Sequence, residues 1–546
     1  MSLKNKNGAN AFVETLELAG IDKIFTLSGN HIMPIYDAIF GSNIDLIHTR
    51  HEAAAVHMAD AWARLTGKVG IALVTGGPGH ANAISALYTA SMSESPVILF
   101  SGHAPIGQLG KGAFQEMLQA DIAAPLTKAS WVCQESKNIA QDVARAIHIA
   151  KSGRPGPVHV SLPTDILEAP YPDTANKITP DSFAPEHMAI NSSELEALID
   201  QLKQAKKPLI LAGPMMQSRD GRVKLKSIED LLSIPVIGME SPRGIGDPSL
   251  GAFSEVLSQA DCILLLGKKI DFTLKFAQSP SINQECVFLQ IDPDQEEINR
   301  AKNAVGNRLS HILKADIPTA IQTITNLISI ETEAVNSDWQ HEVRNAIQFR
   351  PNAWNALPKT TNNIHPAQAL KPLQEILDSH PDSILISDGG EIGQWAQACL
   401  SAPNRVINGV AGSIGSALPF AIAARVAKPD APIISVMGDG TFGFHSAEID
   451  TAVRYKLPFV LVVGNDARWN AEYQIQVREY GKDRTIGCEL LPSHYEKVCE
   501  AFGGYGELVQ DSDKVLPAAK RAAATNLPSC LNIMIEGLAA PNIKRN

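Results

Sequence analysis

A series of short apolar runs, separated by helical stretches and mostly followed by Gly, Asp or another turn residue, constrains this chain more than any other feature. The runs are Lys23–Leu27, Val69–Thr75, Val97–Phe100, Val158–Leu162, Pro208–Ala212, Cys262–Leu266, Val287–Ile291, Ser383–Ile386, Pro432–Met437, Phe459–Val463 and Cys530–Ile535. Segments of this length rich in Val, Ile and Leu read as parallel strands buried on both faces, and their alternation with helices predicts an α/β fold. Such sheets bind ligands at the carboxyl ends of their strands, so function is to be sought just after each run. At 546 residues the chain is too long for one core. Two stretches interrupt the alternation. Pro170–Ser193 carries Pro170, Pro172, Pro180 and Pro185, and the polar stretch Glu331–Pro366 carries Pro351, Pro358 and Pro366. Taken as linkers, they divide the chain into three doubly wound parallel-sheet units, roughly 1–175, 190–330 and 365–546.

The net charge of −11 argues against a nucleic-acid partner, which would require a basic surface. Seven scattered cysteines, odd in number and never spaced CxxC, fit reduced buried thiols better than a disulfide framework or a zinc site. The start, MSLKNKNGAN, lacks the apolar core of a signal peptide, and no apolar run approaches the roughly 20 residues that span a bilayer. A cytoplasmic protein acting on small molecules, without a membrane partner, is the expectation.

Near the carboxyl end, the strand Ile433–Met437 runs into Gly438-Asp439-Gly440-Thr441, and a helical pattern follows to about Tyr455. Glycines let a backbone approach a ligand closely, a helix start presents free N–H groups, and Asp439 could hold a hard cation. Alone, this pattern is better read as a tight strand-to-helix turn capped by an aspartate. A second apolar strand, Phe459–Val463, then ends in Gly464-Asn465-Asp466-Ala467-Arg468-Trp469. Adjacent strand ends would set Asp439 and Asp466 side by side, with a backbone carbonyl just beyond, at Arg468, as a third oxygen ligand. In the first unit, Arg50-His51-Glu52 opens an Ala-rich helix, followed by a strand and the turn Gly76-Gly77-Pro78-Gly79. Read alone, Glu52 is a first-turn carboxylate favoured by the helix dipole.

Together these motifs resemble the thiamine-diphosphate enzymes: GDG, then 25–30 residues, then an Asn pair, with RHE, a strand and GGPG upstream. The resemblance covers essentially the whole chain and is strongest to the acetolactate synthase, benzaldehyde lyase and 2-hydroxyacyl-CoA lyase group. It implies an order of pyrimidine-binding, transhydrogenase-like central and diphosphate-binding domains, and thiamine diphosphate with Mg²⁺ as cofactors. It also implies a homodimer or homotetramer in which Glu52 of one subunit serves the diphosphate domain of another. The chain departs from the family pattern in one ligand, since Asp466 replaces the usual second Asn and adds a negative charge beside the diphosphate.

By the same resemblance, Gly390 and Glu391 belong to a second diphosphate loop, the Gly412 carbonyl accepts from the aminopyrimidine, and Ile414 is the apolar wedge that bends the cofactor, though core packing explains Ile414 as well. A water-shielded Glu52 holding the pyrimidine N1′ would stabilise the reactive tautomer. Gly29-Asn30-His31-Ile32 places His31 where benzaldehyde lyase has its active-site histidine, and Gly112-Ala113-Phe114-Gln115-Glu116 resembles the glutamine loop of the group. His31 and Gln115 are therefore the candidates to move protons on substrate oxygens, against bland readings as a capping or core residue and a loop residue bonded to backbone. Gly393 stands where the lyase has a tyrosine, and Arg468, Glu472 and Gln474 make the pocket look more polar; solvent exposure explains the last two equally. The activity implied is carbon–carbon ligation or cleavage on 2-oxo acids, 2-hydroxy ketones or 2-hydroxyacyl-CoAs. Simple 2-oxo-acid decarboxylation and a non-catalytic dinucleotide-binding protein are the alternatives. FAD in the central domain remains open, because acetolactate synthases carry it there.

Overall fold

The computed structural model describes residues 6–172, 175, 177–327 and 337–545; parts of both stretches read as linkers, at 173–174, 176 and 331–336, lie outside the described residues, as do 328–330 at the end of the central unit. Three all-parallel sheets organise the chain. The first holds β1 (Lys23–Thr26), β2 (Asp45–His48), β3 (Gly70–Val74), β4 (Val97–His103), β5 (Ala129–Val132) and β6 (Val158–Pro163). The second holds β7 (Pro208–Ala212), β8 (Val236–Gly238), β9 (Cys262–Leu266), β10 (Val287–Asp292) and β11 (Leu309–Lys314). The third holds β12 (Ile384–Ser387), β13 (Asn404–Ile407), β14 (Ile433–Gly438), β15 (Phe459–Asn465), β16 (Tyr505–Val509) and β17 (Pro528–Met534).

Spatial order explains which strands the apolar pattern reveals. The sheets run β2-β1-β3-β4-β6-β5, β11-β10-β9-β7-β8 and β13-β12-β14-β15-β17-β16. Every interior strand among the described residues was visible as an apolar run. The six that were not, β2, β5, β8, β11, β13 and β16, are the six sheet edges. An edge strand has one neighbour and reaches solvent, so sequences such as DLIH or LSHILK carry polar residues that hide them.

The chain forms two compact units. One comprises Met1–Glu186, Ile422–Ala427 and Ala447–Leu457, and the other His187–Ala421, Lys428–Ser446 and Pro458–Asn546. The first contains sheet one, with a core that includes Phe12 against Phe100 edge-on at 4.8 Å. The second contains sheets two and three, each with its own core. No described helix is long and apolar enough to cross a membrane.

Two local readings change. The polar stretch after residue 331 includes a helix, Ser337–Gln348, whose Trp339 and Val343 pack into the second sheet's core, Trp339 donating its indole N–H to the Pro208 carbonyl at 2.9 Å. Its apolar positions, 339, 343, 346 and 347, follow helical spacing but are diluted by charged neighbours. The helical pattern after GDG is two short helices, Asp439–His445 and Glu448–Arg454, rather than one.

Gly393, on the helix Gly390–Cys399, has a packing reason: a Cβ there would lie 2.0 Å from the Asp388 carbonyl oxygen. Its missing side chain thus seats the helix on the end of β12. Gly393→Ala should destabilise the protein by about 1–3 kcal/mol, the usual cost of overpacking, read as a lower thermal midpoint; an unchanged midpoint would contradict this packing.

Candidate active site

Strands β14 and β15 are parallel neighbours, with Gly438 opposite Gly464. Asp439 and Asp466 therefore emerge at adjacent strand ends. Asp439 is 3% exposed, and its carboxylate accepts from the amides of Gly440 at 2.9 Å and Arg468 at 3.2 Å. Burial pushes its pKa up to about 6 despite those bonds. Asp466 is pushed up to about 7, first by burial and then by the negative charge of Asp439. Two largely desolvated carboxylates side by side are what a cation relieves. Among the described residues no group of three or more His, Cys, Asp or Glu side chains could hold a metal. A cation here would complete its shell with a backbone carbonyl, phosphate and water, which suits Mg²⁺.

The turn that carries Asp466 is fixed from below. Ala467 has φ +55°, and its amide donates to the Asn465 side chain at 3.2 Å. The fully buried Asn465 in turn donates to Asn532 and to the Ser493 carbonyl, each at 3.1 Å. Asn532 lies inside β17, where it read only as one polar residue in an apolar run.

A cleft of about 490 Å³, its mouth included, opens above these strand ends. Gly390, Glu391, Ile414, Gly438, Gly440, Thr441 and Arg468 all line it. The glycines differ in purpose. A Cβ at Gly390 (φ +76°) would meet nothing within 4 Å and one at Gly438 nothing nearer than 3.7 Å, so these two leave room for a ligand. One at Gly440 would meet the Trp469 ring at 2.7 Å, so that glycine seats an indole. Glu391 is already engaged, accepting from the Ala540 amide and pairing with Arg243 at 3.4 Å. Gln474 donates to the Gly537 carbonyl and to Asn470 instead of facing the cleft, whereas Glu472 lines it and is exposed.

Asp388 points inward rather than toward the cleft. Fully buried, it accepts from the amides of Gly389, Gly415 and Ala417 at 2.6–3.2 Å. Burial raises its pKa to about 6 although those bonds pull the other way. The carboxylate so ties the end of β12 to the loop that carries Gly412, exposed at φ +68°, and the half-buried Ile414, whose Cγ2 fills the space beside Gly389.

In the first unit, Glu52 opens the helix Glu52–Thr66 and is 9% exposed. One carboxylate oxygen accepts from the Asn82 amide group at 3.0 Å, and the other lies 3.3 Å from where a Cβ at Gly79 would be. The residues of RHE and of GGPG thus meet. His31 is 4% exposed, hydrogen-bonded to Thr75 at 3.2 Å and stacked on Phe114 at 6.1 Å. Burial first, then the nearby His103, lowers its pKa, so it is a neutral imidazole near pH 7. Gln115 is half-buried with φ +57°, a strained conformation for a non-glycine residue. Glu448 was not legible in the sequence. It is 1% exposed and accepts from the backbone amides of Arg50 and His51, each at 2.9 Å, immediately before Glu52.

Comparison with known proteins follows the same division. Residues 6–124 match the thiamine pyrophosphate enzyme N-terminal TPP binding domain, 195–315 the central domain and 388–533 the C-terminal TPP binding domain. The chain is 29% identical to a 2-hydroxyacyl-CoA lyase 2 from Danio rerio, covering 97% of this chain and 92% of that protein. It is 29% identical to the acetolactate synthase large subunit IlvG of Mycobacterium tuberculosis, over 95% and 94%, and 28% identical to human 2-hydroxyacyl-CoA lyase 2, over 97% and 90%.

Removing the carboxylate that holds the approach to Glu52 leaves two amides without an acceptor, at about 1–3 kcal/mol each. Glu448→Ala should therefore lower the thermal midpoint and speed hydrogen exchange at residues 50–53. Wild-type exchange there would mean that Glu448 does not brace this segment.

Proposed function

We propose, on the premise that the chain belongs to the thiamine pyrophosphate enzymes of the acetolactate synthase and 2-hydroxyacyl-CoA lyase group, that it joins or cleaves the bond between two carbonyl-derived carbons. The substrates are 2-oxo acids, 2-hydroxy ketones or 2-hydroxyacyl-CoAs. The observation that carries this reading is the carboxylate pair Asp439 and Asp466 at neighbouring strand ends, beside glycines that leave open space. Bound in this cleft, thiamine diphosphate supplies a nucleophilic carbon that stores the electron pair of the bond being made or broken.

Each residue then has a task. Asp439, Asp466 and the Arg468 carbonyl hold Mg²⁺, which receives the diphosphate. Gly390, Gly438, Gly440 and Thr441 shape the diphosphate pocket, with Glu391 at its wall. The Gly412 carbonyl would accept from the cofactor's aminopyrimidine, and Ile414 would pack against its rings. Glu52, shielded from water, holds a proton at the pyrimidine N1′, where a carboxylate acts more strongly than in solvent. His31, held neutral by burial, and Gln115 exchange protons with the substrate oxygens. The protein works in the cytoplasm as a homodimer or homotetramer, Glu52 of one subunit completing the site on another. FAD is not part of the reading; a flavin band in the visible spectrum of the purified protein would add it.

Dialysed against a chelator, the protein should lose carbon–carbon turnover and recover it only with Mg²⁺ and thiamine diphosphate together. Product analysis by mass spectrometry over 2-oxo acids, acyloins and 2-hydroxyacyl-CoAs identifies the donor and acceptor; release of CO₂ without ligation or aldehyde exchange would make it a simple decarboxylase instead. Glu52→Gln should cut turnover by about 100-fold or more while the fold is kept. Normal turnover in that variant would remove Glu52 from the mechanism.

A further inference from the structure

We propose that Gln119, which no motif marks, is a positioning residue that holds Gln115 and His31 in register with each other; the proposal rests on the roles given to those two residues above. Gln119 begins the helix Gln119–Ala123 and is 1% exposed. Its carboxamide is fully used. The oxygen accepts from the Gly77 amide at 2.8 Å, and the nitrogen donates to the Gly102 carbonyl at 3.1 Å and the Ser161 hydroxyl at 3.0 Å. These partners fix which end of the amide is which, since the Gly77 N–H can only donate and the Gly102 carbonyl can only accept.

The two backbone partners are the walls behind the two proton-handling residues. A Cβ at Gly77 would sit 2.7 Å from the Gln115 Cβ and 2.8 Å from its carbonyl oxygen, so this turn and Gln115 are in direct contact. A Cβ at Gly102 would sit 2.5 Å from the His31 Cβ, so the end of β4 is pressed against His31. One buried amide therefore spans the two segments on which Gln115 and His31 rest. Gln115 needs such support, because its φ of +57° persists only where the surroundings over-determine it. The hydroxyl partner closes a ring. Ser161 meets His159 at 3.4 Å, His159 meets Ser130 at 2.9 Å, and Ser130 donates to the Ala120 carbonyl at 2.7 Å, beside Gln119 itself. Every member is internally bonded, which is the arrangement that makes a buried polar network rigid.

Gln119→Met keeps the size and removes all three bonds. It should lower kcat by about 10- to 100-fold through misplacement of Gln115 and His31, with KM for thiamine diphosphate unchanged. In the protein without cofactor, it should speed hydrogen exchange at residues 76–79 and 113–117. Gln119→Glu is the partial rescue. Its carboxyl still accepts from Gly77, and only when neutral can it donate to Gly102 or Ser161. Its kcat should therefore approach wild type at acid pH and fall as pH rises, adding a limb absent from the wild-type profile. The titratable groups around it, His31, His80, His103, His159 and Glu116, are common to both proteins and define the wild-type baseline.

Wild-type kcat and exchange in Gln119→Met would overturn the proposal. Should that variant not fold, absence of the added limb in Gln119→Glu would do the same. A wild-type protein inert in every carbon–carbon assay would instead overturn the parent reading, while the exchange experiment would still decide whether Gln119 braces these segments.

Discussion

Burial of two carboxylates, Asp439 and Asp466, at adjacent strand ends is the constraint on which the candidate site depends. Asp439 and Asp466 are both held above the ordinary carboxylate range by burial, and Asp439 raises Asp466 further. Left alone, such a pair works against the fold, because each ionised form disfavours the other. Yet the surroundings enforce the pairing. The register of β14 on β15 fixes the spacing, and the Asn465–Asn532 contact holds the turn at Ala467. The Arg468 amide also closes onto Asp439. On the proposed reading, a cation between the two carboxylates would relieve this charge pair, and the open space at Gly390 and Gly438 would take the anion that such a cation holds.

The first and third sheets share one strand order, position for position. In each, the candidate residues follow the same four strands. Glu52 follows β2 as the Gly412–Ile414 loop follows β13. His31 follows β1 as Gly390 follows β12, Gly77 follows β3 as Asp439 follows β14, and the end of β4 at Gly102 corresponds to Asp466 after β15. These four strands surround the point where the connection direction reverses, where parallel sheets leave a crevice at their carboxyl ends. On the proposed reading, one architecture supplies a carboxylate and proton-handling groups in one copy and a diphosphate and metal pocket in the other. Nothing in the sequence repeats visibly, because topology is preserved by buried apolar runs of interchangeable residues.

What the sequence made legible follows from that. Interior strands announce themselves, since burial on both faces favours near-continuous apolar runs, whereas the six edge strands mix polar residues and stay hidden. Asp439, Asp466 and Glu52 stood out because glycine-rich turns follow or face them. Residues that act through other residues left no such trace. Asp388, just before the Gly390 and Glu391 loop, turns inward to hold the Gly415 and Ala417 amides. Glu448 lies almost 400 positions after the Arg50 and His51 amides that it accepts from. Gln119 belongs to no motif in the sequence. Gly393, read as standing where the lyase has a tyrosine, also avoids a clash with the Asp388 carbonyl. In each case the decisive contact is made across sequence distances that local pattern does not report.

The central claim is that the cleft above β14 and β15 holds a divalent cation and the diphosphate it bridges. The most direct measurement is a crystal structure of the protein grown with thiamine diphosphate and Mn²⁺, with anomalous diffraction used to locate the manganese. The account predicts one strong anomalous peak between the Asp439 and Asp466 carboxylates, with diphosphate density beside Gly390 and Gly438. A fully loaded protein whose manganese lies elsewhere, with these two carboxylates bonded only to protein or water, would contradict it.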